Sequence, residues 1–190
     1  MIICAGKSEQ FDFAIPIGIG MMEVAINLTR LCESKKPEYL LFVGTAGSYG
    51  EKKIFDIIES KTASNIENSF YTGKSYTPIS SIVTDIEIEN VSRETHVGKE
   101  TIVNSSNYIS TDKEIGKYYT EQNIQIENME FFAVIKVAQF YGISASGIFI
   151  VTNYCDKNAH KDFLSNQKEA MSKLTEYINK KCIIKEALNE

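Results

Sequence analysis

Two short, densely apolar stretches constrain the fold more than anything else in this sequence. Tyr39–Val43 is apolar at every position, and Ser146–Thr152 is nearly so. A half-buried strand alternates, whereas an unbroken apolar run needs cover on both of its faces. Helical spacing elsewhere in the chain supplies that cover. Met21, Val24, Ala25, Leu28, Leu31 and Cys32 recur at intervals of three and four, which puts them on one helical face. Lys35, Lys36 and Pro37 close this helix, because positive charge suits a helix C-terminus and proline cannot continue one. Met129–Tyr141 is apolar almost all round and reads as a buried helix. Thr111-Asp112 reads as a helix start, followed by a short helix over Glu114–Glu121. A last helix, over about His160–Lys181, carries the stripe Ala170, Met171, Leu174, Tyr177 and Ile178. Between them the signal is strand-like, in Ile54–Ile58, Ser80–Ile88 and His96–Val103. The expected fold is α/β, with a mixed, partly curled central β-sheet flanked by helices in three layers, forming one domain over residues 1–190.

A chain of 190 residues with 43% hydrophobic and 24% charged residues can build such a core without disulfides or metals. Its net charge of −5 and pI near 5.2 argue against nucleic acid as a partner, since phosphate backbones call for a basic face. No apolar run approaches the roughly 18–20 residues that span a bilayer, and the N-terminal stretch has no signal-peptide core. The expectation is a cytoplasmic protein with no membrane partner. Cys4, Cys32, Cys155 and Cys182 form no CxxC pair and read as reduced thiols. With only His96 and His160, a zinc site lacks ligands; each histidine reads as a surface or capping residue, with acid–base work as the alternative.

Three segments have the character of a ligand site at the ends of strands. Gly18-Ile19-Gly20 opens the first helix, as a tight turn or as a set of amides facing an anion. Gly44-Thr45-Ala46-Gly47 follows the first apolar run, as a turn of small residues or as a place where a ligand approaches the backbone and the Thr45 hydroxyl. Asn128-Met129-Glu130 begins the apolar helix. A carboxylate there is costly to bury without partners, so Glu130 is either a helix-capping group or an acceptor for sugar hydroxyls.

Together these segments resemble the nucleoside phosphorylase family, which includes purine nucleoside phosphorylases and methylthioadenosine/adenosylhomocysteine nucleosidases. The resemblance is carried by Gly18–Gly44 leading into GTAG, by VNSSNYIS (Val103–Ser110), and by Met129–Asn153 from the Met-Glu pair to the IVTN strand end. It implies a nucleoside phosphorylase-like fold and cleavage of the N-glycosidic bond of a purine nucleoside. It needs no cofactor, with phosphate as a possible co-substrate, and it implies a homo-oligomer. Glu130 resembles the family's ribose-binding glutamate, which accepts from the 2′- and 3′-hydroxyls, and Met129 packs under the sugar. Tyr108 falls where an aromatic lies beside the base. Thr45 falls where the family has a serine near phosphate or the attacking water, with Gly20 in the other glycine segment beside it. Glu9 falls near the glutamate that activates water in the nucleosidases, although the stretch between Glu9 and Phe13 is shorter than the family's. An exposed loop charge is the other reading of Glu9.

Two departures shape the expectation. At the leaving group, where hexameric phosphorylases and nucleosidases carry an aspartic acid, the family's spacing arrives at Asn153. An amide donates a hydrogen bond to purine N7 but supplies no proton; the trimeric branch has a Thr-Asn here, as Thr152-Asn153 does, and prefers 6-oxopurines. Asp156, three residues on, is the alternative acid or a supporting aspartate. The phosphate site lacks its arginines, since the chain has only Arg30 and Arg93 and neither matches. Backbone amides and Lys7 are then the remaining phosphate contacts. Sequence alone therefore leaves phosphate and water both open as nucleophile. It also leaves a second reading, a non-catalytic nucleoside-binding protein derived from the family.

Overall fold

The computed structural model describes residues 1–86 and 100–187. Its centre, among the described residues, is a mixed sheet of nine strands that does not close. β1 (Ile2–Cys4), β2 (Ile15–Pro16), β3 (Tyr39–Ser48), β4 (Ile57–Ser60), β5 (Thr62–Ser64), β6 (Ile82–Thr84), β7 (Ile102–Ser105), β8 (Ile124–Asn128) and β9 (Ser144–Tyr154) make it up. Helices among the described residues include α1 (Gly20–Lys35), α2 (Asn68–Tyr71), α3 (Lys113–Thr120), α4 (Phe131–Tyr141) and α5 (Ala159–Ala187).

The two apolar runs become the two long central strands, paired in parallel from Tyr39 opposite Ser144 to Ser48 opposite Tyr154. Both faces of this pair are covered. Phe42 and Phe149 turn to one side, where they meet Phe131 of α4 and Val24, Leu28 and Cys32 of α1. Val43, Ile148 and Ile150 turn to the other, against Ala170, Leu174 and Ile178 of α5. Three layers follow directly from apolar side chains on successive residues. α1 stops as expected, with Lys36 in the left-handed region at φ 46° ahead of Pro37. Asp112 caps α3 by accepting from the Glu114 amide.

The two edges of β3 are paired differently. β9 occupies one side of β3 along its whole length. The other side is shared: β1 pairs at Leu41 and Phe42, and β8 pairs antiparallel at Gly47 and Ser48. Residues 44–46 between them have no ladder partner on that edge.

Some expectations need correction. Gly44–Ser48 is strand, not a turn: the ladder with β9 continues through it, with a bulge between Ala46 and Gly47. Small residues serve close packing here, since a Cβ on Gly47 would lie 2.9 Å from Asn153 Nδ2 and 3.0 Å from Cys155 Sγ. Ile54–Ile58 is strand only from Ile57, because Phe55 takes φ 71° in the preceding turn. The Ser80–Ile88 segment contributes Ile82–Thr84, and β7 starts at Ile102 and runs on to Ser105. Parts of those two segments, with Arg93 and His96, lie outside the described residues. Among the described residues, no helix is long and apolar enough to cross a membrane.

Phe131 is fully buried, with its ring 5.1 Å from Phe149 and 6.2 Å from Phe42. Phe131→Ala should cost about 3–5 kcal/mol of stability, read as a lower urea midpoint at unchanged slope.

Candidate functional site

A cavity of about 250 Å³ opens where β1 and β8 part along β3. Its walls include Ser8 and Glu9 from the loop after β1, Thr45–Gly47 of β3, and Glu127–Glu130 at the end of β8. Tyr108 and Ile109 of the loop after β7, Asn153 of β9, His160 and Phe163 of α5, and Ile19 just before α1 also line it. The sequence segments singled out for chemistry therefore converge on one place.

Thr45 is the hub. Its N–H and C=O face the edge that no strand pairs, and side chains take them instead. The N–H donates to Glu9 Oε2 at 2.9 Å, and the Thr45 hydroxyl donates to Glu9 Oε1 at 2.7 Å. The carbonyl accepts from Asn128 Nδ2 at 3.3 Å. Glu9 is thus no exposed loop charge: the residue is half-buried and its carboxyl group points into the fold. Burial pushes that carboxyl up from its ordinary value, against the opposing pull of the Thr45 hydrogen bonds.

Glu130 immediately precedes α4 and is buried. Its Oε1 accepts from the Gly20 amide at 2.9 Å, and its Oε2 accepts from Asn128 Nδ2 at 2.8 Å and the Met129 amide at 3.2 Å. The side chain makes no capping bond to its own helix; Asn128 Oδ1 does that, accepting from the amides of Glu130 and Phe131. Burial raises the Glu130 carboxyl to about 7, opposed by the Gly20 amide and reinforced by the charge of Glu9. Both carboxyl groups are thus shifted upward, Glu130 partly by the charge of Glu9.

The glycine segment behaves differently from the expectation of an anion-binding turn. The Gly20 amide is committed to Glu130, Ile19 N donates to Glu23 Oε2, and Met21 N donates to Asn107 Oδ1. Three amides at the start of α1 are taken by the protein's own acceptors, and Gly20 does not line the cavity. Lys7 is exposed and does not line it either. Arg30 sits on the outer side of α1 in an open groove with Asn27, Leu31, Glu33 and Ser34.

Asn153 faces the cavity, with Oδ1 accepting from the Thr152 hydroxyl at 2.9 Å and Nδ2 donating to Tyr154 O at 3.1 Å. Asp156 does not line it. Its carboxylate accepts from Asn158 N and its carbonyl from Ala159 N, which shapes the turn into α5. Met129 is half-buried in the wall, and Tyr108 stands 80% exposed at the rim.

Several wall residues were missed from sequence. Glu127 is buried, with Oε1 accepting from Ser110 N and Oε2 from the Tyr49 hydroxyl, so it ties the Tyr108 loop to the end of β3. The alternation Ile124-Gln125-Ile126-Glu127 was its available signal. Phe163 lies one helical turn beyond His160 on α5, and both face the cavity; sequence alone reads His160 as a surface or capping residue, with acid–base work as the alternative. Cys155 is buried beside Glu127, and burial with that neighbouring charge pushes its thiol well above the ordinary value, which removes it as a nucleophile at neutral pH.

Comparison with known proteins agrees with this architecture. No curated protein sequence matches the chain significantly. Among solved structures, a futalosine hydrolase mutant of Helicobacter pylori strain 26695 matches with a TM-score of 0.73 at 16% identity, over 94% of this chain and 95% of that one. A mutant of the H. pylori nucleosidase MTAN with 5′-methylthioadenosine in its active site matches at 0.70 and 17%, over 88% and 78%. The 5′-methylthioadenosine/S-adenosylhomocysteine nucleosidase of Streptococcus pneumoniae with the transition-state inhibitor MT-ImmA matches at 0.71 and 13%, over 93% and 95%. At such identities the likeness is one of fold. The model of the phosphorylase superfamily matches residues 3–180, nearly the whole chain, and the chain belongs to that superfamily.

Proposed function

We propose that the protein hydrolyses the N-glycosidic bond of a purine nucleoside, with water and not phosphate as the nucleophile. The observation that carries this reading is the charge of the cavity wall. Glu9, Glu127 and Glu130 line it, and among the described residues no lysine or arginine does. A phosphate dianion needs fixed cations or spare amides, and three carboxyl groups oppose it. The Ile19, Gly20 and Met21 amides at the start of α1 are already engaged by Glu23, Glu130 and Asn107.

On this reading the sugar hydroxyls bind Glu130, Met129 packs beneath the ring, and Tyr108 closes over the base. Glu9 and the Thr45 hydroxyl orient water at the anomeric carbon. The water oxygen bonds to that carbon as the bond to purine nitrogen breaks, and Glu9 takes the water's proton. The bond's electron pair leaves with the purine. One N–H of the Asn153 amide is engaged by Tyr154 O, and the other is available to N7. It stabilises the charge that develops on the base, and solvent supplies the proton.

The amide in place of an acid also supports a second reading, a protein that binds nucleosides without cleaving them. A panel of purine nucleosides, with and without phosphate, separates the two. Hydrolysis predicts free base at a rate independent of phosphate, with Glu130→Ala reducing kcat/KM at least about a hundredfold through loss of charged hydrogen bonds. Calorimetric binding without base release would favour the binding protein, and neither binding nor release would sink both.

The shifted carboxyl adds a pH prediction in two parts. The carboxylate form of Glu130 is the better acceptor for hydroxyls, so nucleoside affinity should rise with pH through about 7. Stability should run the other way. With a folded-state value of about 7 against an ordinary 4.5, the folded chain retains a proton that the unfolded chain has released. Stability present at low pH is therefore lost as pH rises from about 4.5 to 7, by on the order of 3 kcal/mol from this group. Urea unfolding across that range should show a shallower decline for Glu130→Gln than for the wild type. Parallel curves would contradict it.

A further inference from the structure

We propose that Asn128 is a positioning residue that leaves the Glu130 carboxylate a single acceptor position for substrate, so that the site grips one sugar hydroxyl strongly and the other weakly. The inference rests on the nucleoside reading above and departs from the symmetrical grip that the family resemblance implies. An ionised carboxylate offers about four lone-pair positions. Three are occupied before any ligand arrives, by the Gly20 amide on Oε1 and by Asn128 Nδ2 and the Met129 amide on Oε2. The remaining position is on Oε1.

Asn128 is held too firmly to yield. All of its amide is in use: Oδ1 caps α4 through the amides of Glu130 and Phe131, at 2.7 and 2.9 Å. Nδ2 bridges Glu130 Oε2 at 2.8 Å and the Thr45 carbonyl at 3.3 Å. Turning the side chain to release Oε2 would leave two helix amides and the buried Thr45 carbonyl without partners. The residue also links the two working carboxyl groups, since Thr45 holds Glu9 from its N–H and hydroxyl. Charged groups that face Glu130 are Glu9, whose charge it senses, and Glu127 in the same cavity wall.

The test compares a purine ribonucleoside with its 2′-deoxy and 3′-deoxy analogues as competing ligands, measuring each inhibition constant. Inhibition constants are used because removing the 2′-hydroxyl also alters the chemical step. In the wild type one analogue should bind about ten- to a hundredfold more weakly than the ribonucleoside, and the other within about threefold of it. Asn128→Ser keeps a helix-capping oxygen but withdraws the donor from Oε2. With that position open the two analogues should come within about threefold of each other, an outcome that a general loosening of the fold would not produce. Equal losses for both analogues in the wild type, or an unchanged ratio in Asn128→Ser, would overturn the inference while leaving the nucleoside reading intact. If the ribonucleoside itself neither binds nor is cleaved, that reading fails and takes the inference with it. Should Asn128→Ser not fold, Asn128→Asp keeps the cap and sets a second carboxylate against Oε2. The pH at which affinity rises should then move upward, and an unmoved profile would count against the proposed role.

Discussion

The backbone of one residue, Thr45, organises this molecule's candidate site. Its N–H and C=O lie on a strand edge between the end of β1 and the end of β8, where no ladder reaches them. Buried backbone groups cannot go unpaired without a cost of order 1–3 kcal/mol each, so something must meet them. Two side chains do: Glu9 accepts the N–H, and Asn128 donates to the carbonyl. Because Asn128 also holds Glu130, the gap in the sheet links the Glu9 and Glu130 carboxyl groups through one strand residue. The parting of β1 and β8 makes the cavity, and the backbone left bare by that parting arranges its chemistry.

Electrostatics follow from the same arrangement. Carboxyl groups recruited to satisfy amides in a confined space gain proton affinity chiefly from burial, and the charge of Glu9 adds to it at Glu130. Glu9 and Glu130 are both shifted upward, with burial the leading cause. A wall of this kind repels a phosphate dianion and suits a neutral sugar that becomes cationic as its bond to the base breaks. On the proposed reading, this wall of carboxyl groups is what favours water over phosphate.

Much of this was legible in the sequence, for identifiable reasons. The central strands and α1, α4 and α5 announced themselves because burial on both faces or one helical stripe leaves a long, regular pattern. The short strands β5 and β8 did not, since three to five residues with Thr, Ser and Gln carry little periodicity. Gly44–Ser48 looked like a turn by composition; only the partner strand β9 makes it a strand. Within the site, Glu130, Met129, Thr45, Tyr108 and Asn153 came from the order and spacing of motifs, and the structure gathers them around one cavity. Glu9 was ambiguous because its inward turn depends on a bare strand edge that no local pattern reports. The role of Asn128 was invisible for the same reason. Gly20 was read for its amide, which does bind a carboxylate, but one belonging to the protein.

On the proposed mechanism, water attacks the sugar at a site whose wall of carboxyl groups excludes phosphate. Turnover of a purine nucleoside in ¹⁸O-labelled water, with inorganic phosphate present, tests it directly. Mass spectrometry of the released sugar should show one labelled oxygen, introduced at the anomeric carbon. An unlabelled sugar 1-phosphate as the product would contradict it.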